Sequence, residues 1–145
     1  MLAFKQKGCY RVGVMTTTEF GAGGNESVAQ LLRYRGYRVE ASSYLCPFDL
    51  LVNGCVRVEV KRAAFSRNRW VVNIQRHNGL NEQGVDIYII RLEKAPGLPC
   101  ATHLIMKAPL GKPTVTITFR SLLTKYAKHF NDYAVIDAVA KAVKK

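Results

Sequence analysis

Phe48-Asp49-Leu50-Leu51-Val52-Asn53-Gly54-Cys55-Val56-Arg57-Val58-Glu59-Val60-Lys61 is the stretch that decides the fold. It reads as two apolar strands joined at Asn53-Gly54, because both residues tolerate the positive φ that a type I′ hairpin turn requires. With those two at the turn, Val52 is expected to pair with Cys55, which brings Asp49 close to Val58 and Glu59. Strand alternation then sends Glu59 and Lys61 to one face and Val58 and Val60 to the other. Two carboxylates and an ammonium group are thereby expected to converge in an otherwise apolar hairpin.

Such a convergence has a chemical use. Neighbouring carboxylates repel each other, and a hard divalent cation such as Mg²⁺ turns that repulsion into coordination by oxygen. A metal held this way polarises a phosphoryl group and lowers the pKa of its bound water, which suits phosphodiester hydrolysis. A lysine beside it can orient the water or neutralise a phosphate. The competing reading of a bare Glu-x-Lys is a surface ion pair on an amphipathic edge strand, so the pattern counts only in its context.

That context extends on both sides. Asn25 to Arg35 reads as a helix, with Asn25 a natural N-cap, Gly36 a natural C′ residue, and Val28, Leu31 and Leu32 the buried stripe. A strand is expected from Tyr37 to Ala41, and after the hairpin others follow at Trp70 to Ile74 and Val85 to Leu92. In this order of elements, residues 24 to 92 resemble the PD-(D/E)xK nuclease superfamily, and within it the small archaeal Holliday-junction resolvases and related homing and restriction-type endonucleases. The family pattern is an acid at a strand start, a hairpin, and Glu-x-Lys on the next strand, here Asp49, Asn53-Gly54 and Glu59-Val60-Lys61. One departure is Pro47-Phe48-Asp49 where the family has Pro-Asp; the proline is not itself a metal ligand.

The resemblance implies an α/β fold with a restriction-endonuclease-like core, a central mixed β-sheet flanked by helices. It also implies a Mg²⁺-dependent DNA endonuclease, with Mn²⁺ able to substitute. Asp49 and Glu59 would hold the metal, and Lys61 would position the attacking water or the scissile phosphate. The family's first helix supplies a further acid, for which Glu26 is the candidate. Helical spacing turns Glu26 away from Leu32 and beside Gln30 and Arg33, a solvent face, so a solvated cap is the competing reading. The inward position holds Asn25, and Glu19 is the other substitute.

The partner is bounded by charge. The chain has 145 residues, the size of one domain with a sizeable core, and a formal net charge of +12. The basic residues are dispersed along the sequence, which favours a basic face on a folded body that meets a polyanion, nucleic acid by default. Ala63 to Arg69 reads as a polar, basic loop just past Lys61, and Arg62, Ser66, Arg67 and Arg69 are the candidate DNA contacts. Cys9, Cys46, Cys55 and Cys100 contain no C-x-x-C pair and His77, His103 and His129 stand alone, so no structural zinc is expected. Free thiols and the lack of an export signal point to a cytoplasmic protein, and no apolar segment is long enough to span a membrane.

The remaining segments carry weaker signals. A strand is expected at Cys9 to Met15, and Gly21 to Gly24 is read as an entrance to the first helix, because no Lys-Ser/Thr pair follows to make a phosphate loop. Trp70 is expected in the core and Asp86 at a strand start. Beyond residue 92, strands are expected near His103 to Met106 and at Thr114 to Phe119, and helices at Ser121 to Phe130 and Asp132 to Val143, all packed on the nuclease core as one domain. Cutting a junction or a duplex takes two incisions, so a homodimer is the expected working form. Its candidate adhesive surfaces are the Thr114 to Phe119 strand and the stripe of Ala134, Val135, Ile136, Val139 and Val143, both of which the monomer's own core could equally claim, and for the two terminal helices DNA contact is the other functional reading. Two other classes stay open: a nucleic-acid-binding protein that uses this core without cleaving, and a basic ribosome- or RNA-associated protein.

Overall fold

A computed structural model describes residues 5–6, 9–10, 24–43, 46–74, 82–98 and 102–143. Strands β1 (Lys5–Gln6) and β2 (Cys9–Tyr10) pair with each other; helix α1 (Gly24–Tyr34) follows. Then come β3 (Val39–Ala41), β4 (Leu50–Val52), β5 (Val56–Ser66), β6 (Arg69–Asn73), β7 (Ile87–Leu92), β8 (Thr102–Lys107) and β9 (Thr114–Thr118). The chain ends in α2 (Phe119–Leu123), a 3₁₀ turn (Ala127–His129) and α3 (Ala134–Val143).

The seven strands β3 to β9 form one mixed sheet. β3, β4 and β5 are successive antiparallel neighbours, β7 lies parallel to β5, and β8 closes that side antiparallel to β7. The far end of β5 pairs with β6, which pairs with β9. β7 is buried on both faces, as the near-continuous apolar run Ile87-Tyr88-Ile89-Ile90 demands of a central strand. Its odd-numbered isoleucines join one core with Val28, Ala29 and Leu32 of α1 and Ile136, Val139 and Ala140 of α3. Tyr88, Ile90 and Leu92 face a second core with Trp70, Val115, Ile117 and Leu122, so β6, β9 and α2 cover the opposite face.

Local chemistry explains the boundaries. α1 carries Glu26 in its first turn and Arg33 in its last, both complementary to the helix dipole. It stops at Gly36, whose φ is 97°, with Tyr37 N–H donating to the Leu32 carbonyl at 3.0 Å in a Schellman closure. The first helix and the strands at Trp70, His103 and Thr114 fall within a residue or two of their expected places, and Trp70 is fully buried.

Three expectations are corrected. Ala63 to Arg69 is not a loop: β5 continues to Ser66 because Phe65 packs on Trp70 and Phe119, with ring centroids 4.8 and 5.7 Å apart, and only Arg67 and Asn68 turn, both at positive φ. Ser121 to Phe130 is not one helix; Thr118 caps a short α2 through a reciprocal bond with Ser121, and Thr124 leaves helical geometry at φ −121° and ψ −88°. Cys46 is disulfide-bonded, so the thiols are not all free, whereas Cys55 is. Within the apolar stripe of α3, Ile136 and Val139 are spent on the monomer's own core and Val135 packs against it, while Ala134 and Val143 stay exposed. Glu19, Gly21 to Gly23 and most of the strand expected at Cys9 to Met15 lie outside the described residues.

Candidate functional site

The hairpin turn sets the geometry. Asn53 and Gly54 both have positive φ, 52° and 73°, as the Asn-Gly pair requires. Cys55 also belongs to the turn, so Val52 pairs with Val56, one residue later than expected. The register ends with Leu50 opposite Val58, and Asp49, one residue ahead of β4, lies beside the Val58–Val60 stretch that carries Glu59. Asn53 pins the turn to the chain ahead of β3, its Oδ1 accepting from Arg38 N at 2.9 Å and its own N–H donating to the Arg38 carbonyl at 2.7 Å.

At this point β4 and β5 separate. β4's pairing ends at Val58 and β6's begins at Ala64, so on the β4 edge residues 59–63 of β5 have no strand partner among the described residues. Regular pairing would match Val60 with Phe48, but the Phe48 carbonyl accepts the hydroxyl of buried Ser42 instead. Asp49 takes over: its Oδ2 accepts the Val60 N–H at 2.8 Å, and its own N–H donates to the Val58 carbonyl at 2.9 Å. A carboxylate oxygen thus stands in for a backbone carbonyl, which fixes the side chain at the mouth of the opening. Oδ1 makes no hydrogen bond among the described residues.

Glu59 and Lys61 project to the same face from that opening. Glu59 is 5% exposed, and Lys61 Nζ lies 3.3 Å from its Oε2. On the other edge Glu59 pairs with Tyr88 and Lys61 with Ile90, both buried, so the two charged groups stand on an apolar floor. The register there is locked by Asp86, which accepts from Arg57 through Nε at 3.0 Å, Nη2 at 2.8 Å and the backbone N–H at 2.8 Å. Asp86 is therefore a clamp between β5 and the approach to β7, in keeping with its expected place at a strand start.

Other candidates are set apart. Among the described residues no three His, Cys, Asp or Glu side chains gather as a metal-ligand group, so Glu26 does not complete a three-carboxylate set with Asp49 and Glu59. Glu26 is half-buried in the first turn of α1, next to half-buried Asn25. Arg62, Ser66 and Arg69 alternate to the face opposite Glu59 and Lys61, and Arg62 is held by Glu93, its Nε donating to Oε2 at 2.7 Å. Because β5 continues unbroken to Ser66, the Arg67-Asn68 tip lies up to roughly 20 Å from Lys61, six residues at about 3.3 Å each.

The sequence reading counts Lys125 and Lys128 among the dispersed basic residues and holds DNA contact open for their segment, but it does not join them to Lys112 or place them on the Glu59 face. Lys112, Lys125 and Lys128 line a cleft of about 220 Å³ over Met106, Val115 and Tyr126. Met106 pairs with Tyr88, which pairs with Glu59, so the cleft shares a cross-strand row with the carboxylates. These lysines come from segments whose packing onto this face no local pattern announces. No family model, curated protein or solved structure matches the chain.

Among the described residues no helix is long and apolar enough to cross a membrane.

Proposed function

We propose that the protein is a metal-dependent endodeoxyribonuclease resembling the Holliday-junction resolvases of the PD-(D/E)xK superfamily. The observation that supports it most is the anchoring of Asp49 to the backbone of Val58 and Val60, on either side of Glu59, where β4 and β5 part, with Lys61 beside Glu59 on the same face. The donor set fits Mg²⁺, which keeps several waters and is usually held by one or two carboxylates together with substrate phosphate. Asp49 Oδ1 and the Glu59 carboxylate would hold the ion, which when bound polarises the scissile phosphate and acidifies a water. Lys61 would leave Glu59 to meet the phosphate, adding positive charge where negative charge builds up. The net charge of +12 would draw in the DNA and make binding salt-dependent.

A site-specific homing or restriction-type endonuclease uses the same constellation, and the substrate separates the two. A second reading, binding of nucleic acid without cleavage, draws on the 3.3 Å pair by which Lys61 already neutralises Glu59 and on the lack of a third carboxylate among the described residues. The test is incubation with a four-way junction, a linear duplex and single strands, with and without Mg²⁺, using wild type and Asp49→Asn. Wild type is expected to cut the junction only with the metal, and Asp49→Asn to bind without cutting. Binding by wild type with no cleavage of any substrate would favour the second reading, and an Asp49→Asn protein that cuts at the wild-type rate would overturn the site.

A further inference from the structure

The cleft bounded by Lys112, Lys125 and Lys128 lies outside the carboxylate site yet belongs to the same face. Glu59, Tyr88 and Met106 are paired in sequence across β5, β7 and β8. Adjacent strands lie about 4.8 Å apart, so Met106 stands roughly 10 Å from Glu59. The floor is apolar and aromatic: Met106, Val115 and Tyr126 are each no more than 6% exposed. The rim is cationic, all three lysines are exposed, and among the described residues no carboxylate lines the cleft. Lys125 Nζ sits 5.2 Å from the centre of the Tyr126 ring, so one lysine is already drawn over the aromatic floor.

We propose that this cleft is a nucleotide subsite, holding one phosphate at the three lysines with its base against Met106, Val115 and Tyr126. The chemistry selects this ligand in two ways. Three exposed lysines on the rim, against Glu82 held on the Leu110 and Gly111 N–H groups and Asp132 near His129, leave an excess of positive charge that favours a phosphate, and a buried sulfur and aromatic floor favours a planar, weakly polar group. Size decides between a free drug-sized ligand and one unit of a polymer: pockets for the former span about 300–1,000 Å³, whereas this one offers about 220 Å³. The occupant is therefore one nucleotide of a strand whose neighbouring phosphates run along the row towards Glu59. The ligand class rests on the nucleic-acid reading above, but not on cleavage.

Binding, not cutting, is the readout. Thymidine monophosphate, inorganic phosphate and a fluorescent five-thymidine oligonucleotide are titrated into wild type, Lys125→Ala/Lys128→Ala, Tyr126→Leu and the control Lys141→Ala, with nuclear magnetic resonance following Met106 and His129. Thymidine monophosphate is expected to shift both signals and phosphate alone mainly His129. The double lysine variant is expected to bind the oligonucleotide about tenfold more weakly, with a salt slope flatter by roughly 0.7 for each single-strand phosphate it no longer neutralises. Lys141→Ala should match wild type. Because Tyr126 is buried, Tyr126→Leu is read only if its melting curve stays cooperative; the lysine variants carry the test otherwise. Oligonucleotide affinity and slope unchanged in the double variant would overturn the subsite while leaving the nuclease reading intact. Equal shifts from phosphate and thymidine monophosphate would overturn the base-binding half. Wild type that binds the oligonucleotide through these lysines but never cuts DNA would remove the nuclease reading and keep the subsite.

Discussion

Asp49 does two things that a single substitution can separate. Its Oδ2 is the acceptor for the Val60 N–H at 2.8 Å, where β4 no longer supplies a carbonyl. Asp49→Ala leaves that half-buried N–H without its charged partner, a loss of about 1.5–3 kcal/mol. With an unfolding entropy of about 2.1 cal/mol/K per residue over 145 residues, 1 kcal/mol corresponds to roughly 3 °C, so Tm should fall by about 5–10 °C. Asp49→Asn keeps an amide oxygen at the same reach and should lower Tm by no more than about 3 °C, consistent with a neutral hydrogen bond replacing a charged one. Both should abolish Mg²⁺-dependent cleavage, since the amide no longer offers anionic oxygen to a hard cation. Differential scanning calorimetry beside a junction-nicking assay reads the two effects independently. Equal destabilisation by Ala and Asn, or none by Ala, would refute the account of Asp49 as a backbone surrogate; undiminished cutting by Asn would refute its catalytic part.

Three further outcomes follow from the same geometry. Asp86→Ala removes the carboxylate that accepts from the Arg57 guanidinium, whose side chain is 26% exposed. Partial access to water discounts the loss to about 1–3 kcal/mol, measurable as a shift in urea midpoint, and an unchanged midpoint would mean the clamp does nothing. Burial, with Arg91 opposite in the register, pushes the His103 pKa below its ordinary 6.5, and burial with Lys128 nearby does the same to His129. The unfolded chain then binds protons first as pH falls, so the stability from keeping these imidazoles neutral is present above about pH 6.5 and is lost below it. Tm should drop between pH 7.5 and 5.5, and His103→Gln should flatten that drop; a slope identical to wild type would place the titration elsewhere. Arg67→Ala/Arg69→Ala, at the β5–β6 tip, should reduce the salt slope of duplex binding by about 0.9 for each phosphate the pair neutralises, without changing cleavage of pre-bound substrate; an unaltered slope would take the tip off the DNA path.

The parts of the fold that are local in sequence were legible from it. Asn53-Gly54 announced the hairpin because few other pairs accept two positive φ values, and Gly36 announced the end of α1 for the same reason. The register was missed by one residue, since Cys55 in the turn is a matter of how the flanking strands twist. The continuation of β5 through Phe65 was missed for another reason: Ser66, Arg67, Asn68 and Arg69 look like solvent-exposed loop, and it is the Phe65-Trp70-Phe119 cluster, assembled from three separate segments, that carries the strand on to Ser66. α3 shows the opposite case, a stripe legible as apolar whose burying surface, the sheet or a second copy, the sequence left open.

The same limit shapes the candidate site. Asp49, Glu59 and Lys61 were legible because a hairpin and a two-residue period convert sequence distance into spatial distance almost without freedom. Glu26 was not, because a helix end can rotate and tilt, and the structure leaves it outside any three-acid group among the described residues. Least legible was which basic residues share a face with the carboxylates. Arg62 and Lys61 are adjacent in sequence yet alternate to opposite faces, and Arg62 is spent on Glu93. Lys112, Lys125 and Lys128, some fifty residues or more from Lys61 in sequence, reach its face only because β9 and α2 fold back over Met106 and Tyr88. Counting the basic residues nearest the carboxylates in sequence therefore picks side chains on the opposite face or at the distant β5–β6 tip. Pairing Glu59 to Tyr88 to Met106 across the sheet picks those that could share a strand of DNA with them.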